Sequence, residues 1–231
     1  MAKSCVISAV GKNSFHKNWM DPLGEKFDLH LLVYDNSYSS YQKDTPFVSR
    51  MKGQKFRAIY RYLKRNKMLL DDYDYYYIPD DDIFIDDVNI KKLFHIMSEY
   101  NLAIAQPALT NSYFSYGITL RKEESILRYT NFVEMMQPCF SNDALNKVLF
   151  TFNENLSGWG MDFHWPSIVD CSKGNMAIID YITSIHTRPI GKNYKQEINQ
   201  AELNSYLKKY NLTIQIGEFE RVSHQRTLHR C

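Results

Sequence analysis

Apolar and polar positions along the chain alternate in two periods, short buried runs of strand length and longer amphipathic stretches of helical period. Cys5 to Val10 is an apolar run that stops at Gly11, and Phe27 to Tyr34 is a second that stops at the polar turn Asp35-Asn36-Ser37; both read as buried strands. From Gln54 to Leu69 the pattern is helical, with Phe56, Ile59, Tyr60 and Leu63 on one face and Lys55, Arg57, Arg61, Lys64 and Arg65 on the other. Tyr73 to Ile78, aromatic and β-branched, predicts a strand that runs into Pro79 and an acidic cluster. A helix is expected over 88–100, then a buried strand from Leu102 to Ala105 that Gln106-Pro107 stops, then an extended stretch from Asn131 to Phe140. Ser141 stands where an N-cap belongs for a helix burying Ala144, Leu145, Val148 and Leu149. Gly158-Trp159-Gly160 opens another helix, Met176 to Ile185 is strand-like, and a last helix carries Leu203, Tyr206, Leu207 and Tyr210, with Asn199 and Glu202 as its capping pair.

Strands alternating with helices predict an α/β fold, a mostly parallel central sheet flanked by helices. No repeat, low-complexity tract or Gly/Ser linker divides the chain, so a single domain is expected over 1–231. In such sheets ligands sit outside the carboxyl ends of the strands, which draws attention to the end of the Tyr73–Ile78 run. Asp80, Asp81 and Asp82 follow it directly, between two apolar segments. Adjacent carboxylates raise one another's pKa unless something neutralises them, and a hard divalent cation does so with one or two carboxylates plus substrate phosphates. In an extended turn Asp80 and Asp82 point one way and Asp81 the other. A solvated acidic turn is the plain alternative, less apt because apolar strand flanks it on both sides.

Composition narrows the picture. The 17 Tyr and 13 Phe suit sugar-ring platforms as well as half-buried strands, and composition leaves both open. A net charge of +2 excludes a nucleic-acid binder held by electrostatics. The four cysteines are far apart and lack zinc-site spacing, so reduced thiols are expected. No apolar run approaches the roughly 20 residues of a membrane span, and Met1-Ala2-Lys3-Ser4 leads into the first strand without a signal-peptide layout. A cytoplasmic protein is expected. Peripheral contact with the inner face of the membrane stays open through the basic tail at 216–231, which includes Arg226 to Arg230.

Other residue patterns add chemistry. Gly158 and Gly160 permit a tight turn that presents Trp159 to a sugar ring, and Asp162 then stands ready to take a proton from an acceptor hydroxyl; the alternative is a helix start capped by Asp162 over a core tryptophan. His164 is a second base candidate or a structural histidine. His186, at the end of a strand-like run, is a divalent-metal ligand candidate or a core histidine bonded to a carbonyl. Arg188 has the forked donors a diphosphate accepts. Lys52 and Lys55, before and at the start of the first long helix, are candidates for diphosphate oxygens, with a solvated basic face as the alternative.

Tyr-Ile-Pro-Asp-Asp-Asp-Ile at 77–83 resembles the DxD segment of GT-A glycosyltransferases. Four further segments, Leu-Ala-Ile-Ala-Gln-Pro-Ala-Leu at 102–109, Arg-Tyr-Thr-Asn-Phe-Val-Glu at 128–134, Ser-Gly-Trp-Gly-Met-Asp-Phe at 157–163 and Ile-His-Thr-Arg-Pro-Ile-Gly at 185–191, are similar to the bacterial family DUF707. The resemblance covers nearly the whole chain. It implies a single GT-A-like, Rossmann-like domain, with a nucleotide-sugar donor half at about 1–110 and an acceptor half at about 111–215. It implies Asp80 near the donor ribose or the metal, Asp82 as chief ligand of Mn²⁺ or Mg²⁺, and His186 completing that sphere. Asp81 is counted on the donor side with Asp80, and Asp35 meets the nucleoside by the same likeness. Asp162 is the catalytic carboxylate, and Glu134 and Trp159 meet the acceptor, with Glu134 an alternative base.

The expected reaction is sugar transfer from a nucleoside-diphosphate sugar to a hydroxyl of a glycan or glycolipid, in bacterial surface-glycan or capsule synthesis. Two rivals are a metal-dependent nucleotidyltransferase, for which no Gly-rich loop is found, and a noncatalytic carbohydrate-binding protein, which leaves the acidic cluster unexplained.

Overall fold

β1 (Ser4–Val10) is buried at every position, as a strand must be when helices cover both faces of its sheet. The computed structural model describes residues 2–21, 23, 26–190 and 196–223; Cys231 and the arginines of the basic tail, 226–230, lie outside them. After the single turn of α1 (His16–Trp19), β2 (Asp28–Val33) pairs in parallel with β1. α2 (Tyr38–Tyr41) then leads into β3 (Phe47–Arg50), parallel to β2.

α3 (Lys55–Arg65) buries Phe56, Ala58, Ile59, Tyr62 and Leu63. It ends four residues earlier than its periodicity suggests, because the Asn66 side chain and backbone N–H both donate to the Tyr62 carbonyl, at 2.9 and 3.0 Å. α4 (Leu69–Asp72) is a separate turn. Tyr62, rather than Tyr60, completes the inner face, where its hydroxyl lies 2.8 Å from His30 Nδ1.

β4 (Tyr75–Tyr77) joins β1 in parallel. β5 (Ile83–Phe84) follows the acidic cluster, and α5 (Asp87–Glu99) is capped by Asp86, whose carboxylate accepts from Asn89 N at 2.7 Å. β6 (Ile104–Leu109) does not stop at Gln106-Pro107 as expected. Its β8 neighbour pairs only with Ile104 and Ala105, so Pro107 sits where no strand asks for its missing N–H, at a register shift against β9.

β7 (Ser125–Thr130) and β8 (Cys139–Ser141) flank the 131–138 stretch, which is irregular rather than extended. Ser141 does cap α6 (Asn142–Val148), accepting from Ala144 N at 3.3 Å. α7 (Met161–Val169), β9 (Met176–His186), α8 (Gln196–Tyr210) and β10 (Glu218–Ser223) complete the chain. α8 begins before Asn199, so Glu202 lies inside it. Glu202 instead accepts from the backbone of Leu156 and Ser157, at 3.3 and 2.8 Å.

The strand order is β10-β7-β9-β6-β8-β4-β1-β2-β3, with β5 on β9. The sheet is mixed, not mostly parallel. β4-β1-β2-β3 is parallel, but β8 enters antiparallel to both β4 and β6, and β7 and β10 add antiparallel partners to β9. β7 and β10 fall outside the apolar runs read from the sequence, β8 takes only the end of the stretch expected to be extended, and β3 was not expected either, so the pattern left the antiparallel insertions out of view. Alternation in β1 divides the core: Cys5 and Ile7 face the layer of α3, α6 and α7, while Val6 and Val10 face α5. No described helix is long and apolar enough to cross a membrane.

Between Pro107 and Ala108, β9 carries extra residues that include Asp180. Arg128 of β7 holds that bulge through Nε and one terminal nitrogen, 2.8 and 3.1 Å from the two Asp180 oxygens, with both side chains fully buried. The Lys122 N–H adds a third bond at 2.9 Å. Removing one partner leaves a buried uncompensated charge, whereas removing both does not. Arg128→Met is expected to cost about 3–5 kcal/mol in urea unfolding, and Arg128→Met combined with Asp180→Leu to recover most of that loss.

Candidate functional site

Where β4 ends, the backbone of the acidic cluster is pinned from both sides. Ile78 N and Asp80 N donate to the carbonyls of Pro138 and Met136, each at 2.8 Å, and the Ser8 hydroxyl of β1 donates to Pro79 O at 2.8 Å. The three carboxylates then diverge as an extended turn requires. Asp81 turns toward β1 and β2, accepting from Gly11 N at 2.8 Å, the Tyr34 hydroxyl at 2.7 Å and Arg188 at 3.0 Å. The Tyr34 ring packs so closely on Gly11 that a β-carbon there would collide with it.

Asp80 pairs with Lys55 Nζ at 2.8 Å, and the same ammonium donates to the carbonyls of Met135 and Met136 at 2.9 and 2.8 Å. Burial raises the Asp80 carboxyl and lowers the Lys55 ammonium, each against the pull of the other. Lys55 therefore leaves the basic face of α3 and ties the acidic cluster to the 131–138 loop.

Asp82 meets His186. β5 pairs with the end of β9 in the register Ile83↔His186, which sets Asp82 Oδ2 3.3 Å from His186 Nε2. The other imidazole nitrogen lies 3.0 Å from the Tyr113 carbonyl. Burial works to lower the His186 pKa, but Asp82 and that carbonyl outweigh it and hold it above the ordinary value. Burial likewise works to raise Asp82, and His186 with Arg188 holds it below the usual carboxylate range. Asp82 Oδ1 is buried without a partner.

Across the cleft stands the Gly158-Trp159-Gly160 turn, with φ of 80° and 100° at its glycines, a left-handed geometry that favours glycine. Gly160 caps α7 with no side-chain bond, so Asp162 is not the helix cap. It is 4% exposed, and one of its oxygens is unpartnered. Burial pushes it up to about 7, against backbone groups that pull it down. Glu134, also 4% exposed with one oxygen unpartnered, is pushed up to about 7 by burial and by the Asp162 charge, against the Ser115 hydroxyl. Trp159 is half-buried against Phe132, Phe163 and Leu203. His164 is a structural histidine, 3.0 Å from the Tyr206 hydroxyl and off the cleft.

One cavity of about 620 Å³ joins these groups. Lys55, Asp80, Asp81, Asp82, His186 and Arg188 line one side; Glu134, Trp159 and Asp162 line the other. Two expected residues are not in its walls. Asp35 accepts from Lys12 N at 2.7 Å and Ser37 N at 2.9 Å, shaping the turn after β2. Lys52 borders a separate depression with Arg57 and Arg61. Tyr34, Gln54, Ser115, Tyr116 and Phe163 also line the cavity and were not anticipated. The ends of β1 and β2 could have pointed to Tyr34, since ligands collect at carboxyl ends of strands; the 110–117 stretch has no periodicity to follow.

Among the described residues no group of three or more His, Cys, Asp and Glu is arranged to hold a metal ion. Asp82 and His186 could supply two ligands to such an ion, and Asp82 Oδ1 is buried without a partner in a residue that lines the cavity. That set fits a Mg²⁺- or Mn²⁺-type ion that takes its remaining oxygens from substrate and water, not an all-protein cage.

Residues 12–131, just over half of the chain, match the family described as "Protein of unknown function (DUF707)". The chain belongs to this family. The match takes in the Asp80–Asp82 cluster and ends before Glu134. No curated protein matches the DUF707 chain. Among solved structures it is similar to GalNAc-T7 with UDP, GalNAc and Mn²⁺, at a TM-score of 0.65 and 10% identity over 91% of this chain and 48% of that one. It is similar to S. aureus TarS at 0.53 and 9%, over 91% of this chain and 43% of TarS, and to TarS 1-349 at 0.50 and 10%, over 91% and 72%. The DUF707 chain thus spans less than half the length of GalNAc-T7 and TarS. What they share with it is the fold, a GT-A-like mixed α/β sheet.

The buried acids make a prediction independent of function. A carboxyl whose folded pKa is raised to about 7 binds its proton more tightly folded than unfolded, so its cost is absent below about pH 4 and complete above about pH 7. Glu134→Gln and Asp162→Asn are each expected to stabilise the protein by roughly 1–3 kcal/mol at pH 8, with little effect at about pH 3.5, below both ordinary values. Denaturant unfolding at the two pH values measures the difference.

Proposed function

We propose that this protein is a metal-dependent glycosyltransferase that moves a sugar from a nucleoside-diphosphate sugar to an acceptor hydroxyl on a glycan or glycolipid. The observation that carries the reading is the pairing, in one cavity of a GT-A-like fold, of the Asp82–His186 pair with two buried carboxyls poised near neutrality. A nucleotidyltransferase has no use for the second set, and a carbohydrate-binding protein has none for the first.

In this proposal the donor side is drawn from residues 1–110 together with His186 and Arg188, and Glu134, Trp159 and Asp162 belong to the acceptor side. Asp82 and His186 would hold a divalent cation, and Asp80 is a further candidate ligand. Bound there, the cation supplies Lewis-acid stabilisation of the charge gathering on the departing diphosphate. Arg188, turned away from Asp81, offers its fork to the diphosphate oxygens. Lys55 keeps Asp80 and the Met135–Met136 backbone in place. Asp162 accepts the proton of the acceptor hydroxyl while that oxygen bonds to the anomeric carbon and the bond from that carbon to the diphosphate oxygen breaks. A carboxylate with a pKa of about 7 is a far better base than one at the ordinary value and is still half ionised at neutral pH. Trp159 offers its indole face to the sugar.

Calorimetry with UDP- and GDP-sugars, with and without Mn²⁺, tests the reading. Nucleotide binding is expected to require the metal and to weaken at least about tenfold in Asp82→Ala while persisting in Asp162→Ala. Metal-free glycan binding with no nucleotide binding would return the protein to the carbohydrate-binding class.

With donor and acceptor identified, kcat/KM should rise with pH through about 7 and level off above, because the base works ionised. Asp162→Asn should lower kcat by about 10²–10⁴. A pH-independent rate in the wild type would remove Asp162 from that role.

A further inference from the structure

The wall opposite the acidic cluster joins two acids to an aromatic surface. Glu134 and Asp162 are each 4% exposed, and Glu134 Oε2 and Asp162 Oδ1 are buried without a hydrogen-bond partner. Their charges act on each other and on the Tyr116 hydroxyl, whose pKa burial and then these two acids raise. Tyr116 meets Phe163 edge to face at 6.0 Å, and Phe163 stacks on Phe132 at 5.4 Å, so the rings around the acids are fixed by one another. The Glu134 backbone is fixed as well, its N–H donating to the buried Gln106 side chain at 2.6 Å.

A buried carboxylate oxygen without a donor is unfavourable until a ligand brings one. Tyr116, Trp159 and Phe163 line the same cavity, and aromatic faces suit the C–H face of a pyranose. A ligand with its own carboxylate or phosphate at this point would instead set a third negative charge against two desolvated ones, and like-charge juxtaposition of that kind is strongly rejected.

We infer that Glu134 and Asp162 act as one recognition point that selects an accepting sugar rich in hydroxyl or amine donors and excludes a uronic-acid or phosphorylated sugar at that position. The inference rests on the glycosyl-transfer reading and names the acceptor class for the same cavity. Asp162 takes the reacting hydroxyl. Glu134 takes a neighbouring donor group on the same ring and is the specificity residue.

Saturation-transfer NMR with a neutral methyl hexoside and the matching methyl glycoside of the uronic acid, its carboxylate free, at pH 7.5 with nucleoside diphosphate and Mn²⁺ present, gives the test. The wild type is expected to favour the neutral glycoside by at least about tenfold. Glu134→Gln, which keeps shape and removes charge, should narrow that ratio to about threefold or less while nucleotide binding stays unchanged. Asp162→Asn serves as the second variant should the first fail to fold, with the same narrowing expected. A buried acid with a merely structural role would change stability and leave the ratio alone. Nucleotide binding with no preference between the glycosides, with neither bound, or with an unchanged ratio in both variants overturns this inference and leaves the transferase reading standing. Selective glycoside binding without nucleotide binding does the reverse.

Discussion

Three consecutive carboxylates at the end of β4 impose the constraint around which the cleft is organised. Side by side and partly desolvated, the carboxylates of Asp80, Asp81 and Asp82 repel one another unless each finds its own counterweight. The extended turn separates them, and a different part of the chain answers each one. Lys55 from the start of α3 reaches Asp80, the Gly11 backbone with Tyr34 and Arg188 surrounds Asp81, and His186 at the end of β9 meets Asp82. Neutralising one short segment thus brings β1, β2, α3, β5 and β9 to a single point. Lys55 carries this across the cleft, since its remaining bonds go to the backbone just after Glu134.

The two sides of the cavity use charge in opposite ways. Around the acidic cluster, Lys55, Arg188 and His186 stand against the carboxylates and leave a polar, charge-paired face. On the far side burial dominates, and Glu134 and Asp162 are pushed up to about 7. Groups whose environments drive their pKa values apart are what acid–base chemistry at neutral pH requires. The fold supplies the contrast: the cluster leaves a strand end in the sheet, whereas the two acids lie beneath a glycine turn packed with aromatic rings.

Much of this was legible in the chain because its strongest signals were local. The run Tyr73 to Ile78 followed by three aspartates marks a buried strand opening into a polar site, while the expected convergence of Asp80 and Asp82 gives way to separate partners, Lys55 for Asp80 and His186 for Asp82, with Arg188 close to both Asp81 and Asp82. The glycines of Gly158-Trp159-Gly160 carry the positive φ values that such a pair suggests. What was hidden depends on pairing between distant segments. β7, β8 and β10 are short and polar-flanked, and it is their antiparallel insertion that makes the sheet mixed. Pro107 looked like a strand stop because its lack of a donor is visible in sequence, while the absence of a pairing strand beside it is not. Lys55 looked like one more cation on a basic helix face, since carbonyl partners some eighty residues away leave no mark on composition.

The distribution of unsatisfied atoms brings these strands of evidence together. Folded proteins leave few buried polar atoms unpaired, and each exception asks for a reason. Among the described residues six such side-chain atoms occur, and three of them, on Asp82, Glu134 and Asp162, are carboxylate oxygens in the walls of one cavity. Chance scatter over the fold would not gather the costliest kind of orphan in one place. At Arg128 and Asp180, by contrast, the buried charges are paired, the guanidinium donating to both Asp180 oxygens and to the Leu120 carbonyl. The unpaired carboxylate oxygens of Asp82, Glu134 and Asp162 carry a cost in stability that the rest of the core covers, and they set the lining of this cavity apart from the paired bulge midway along β9.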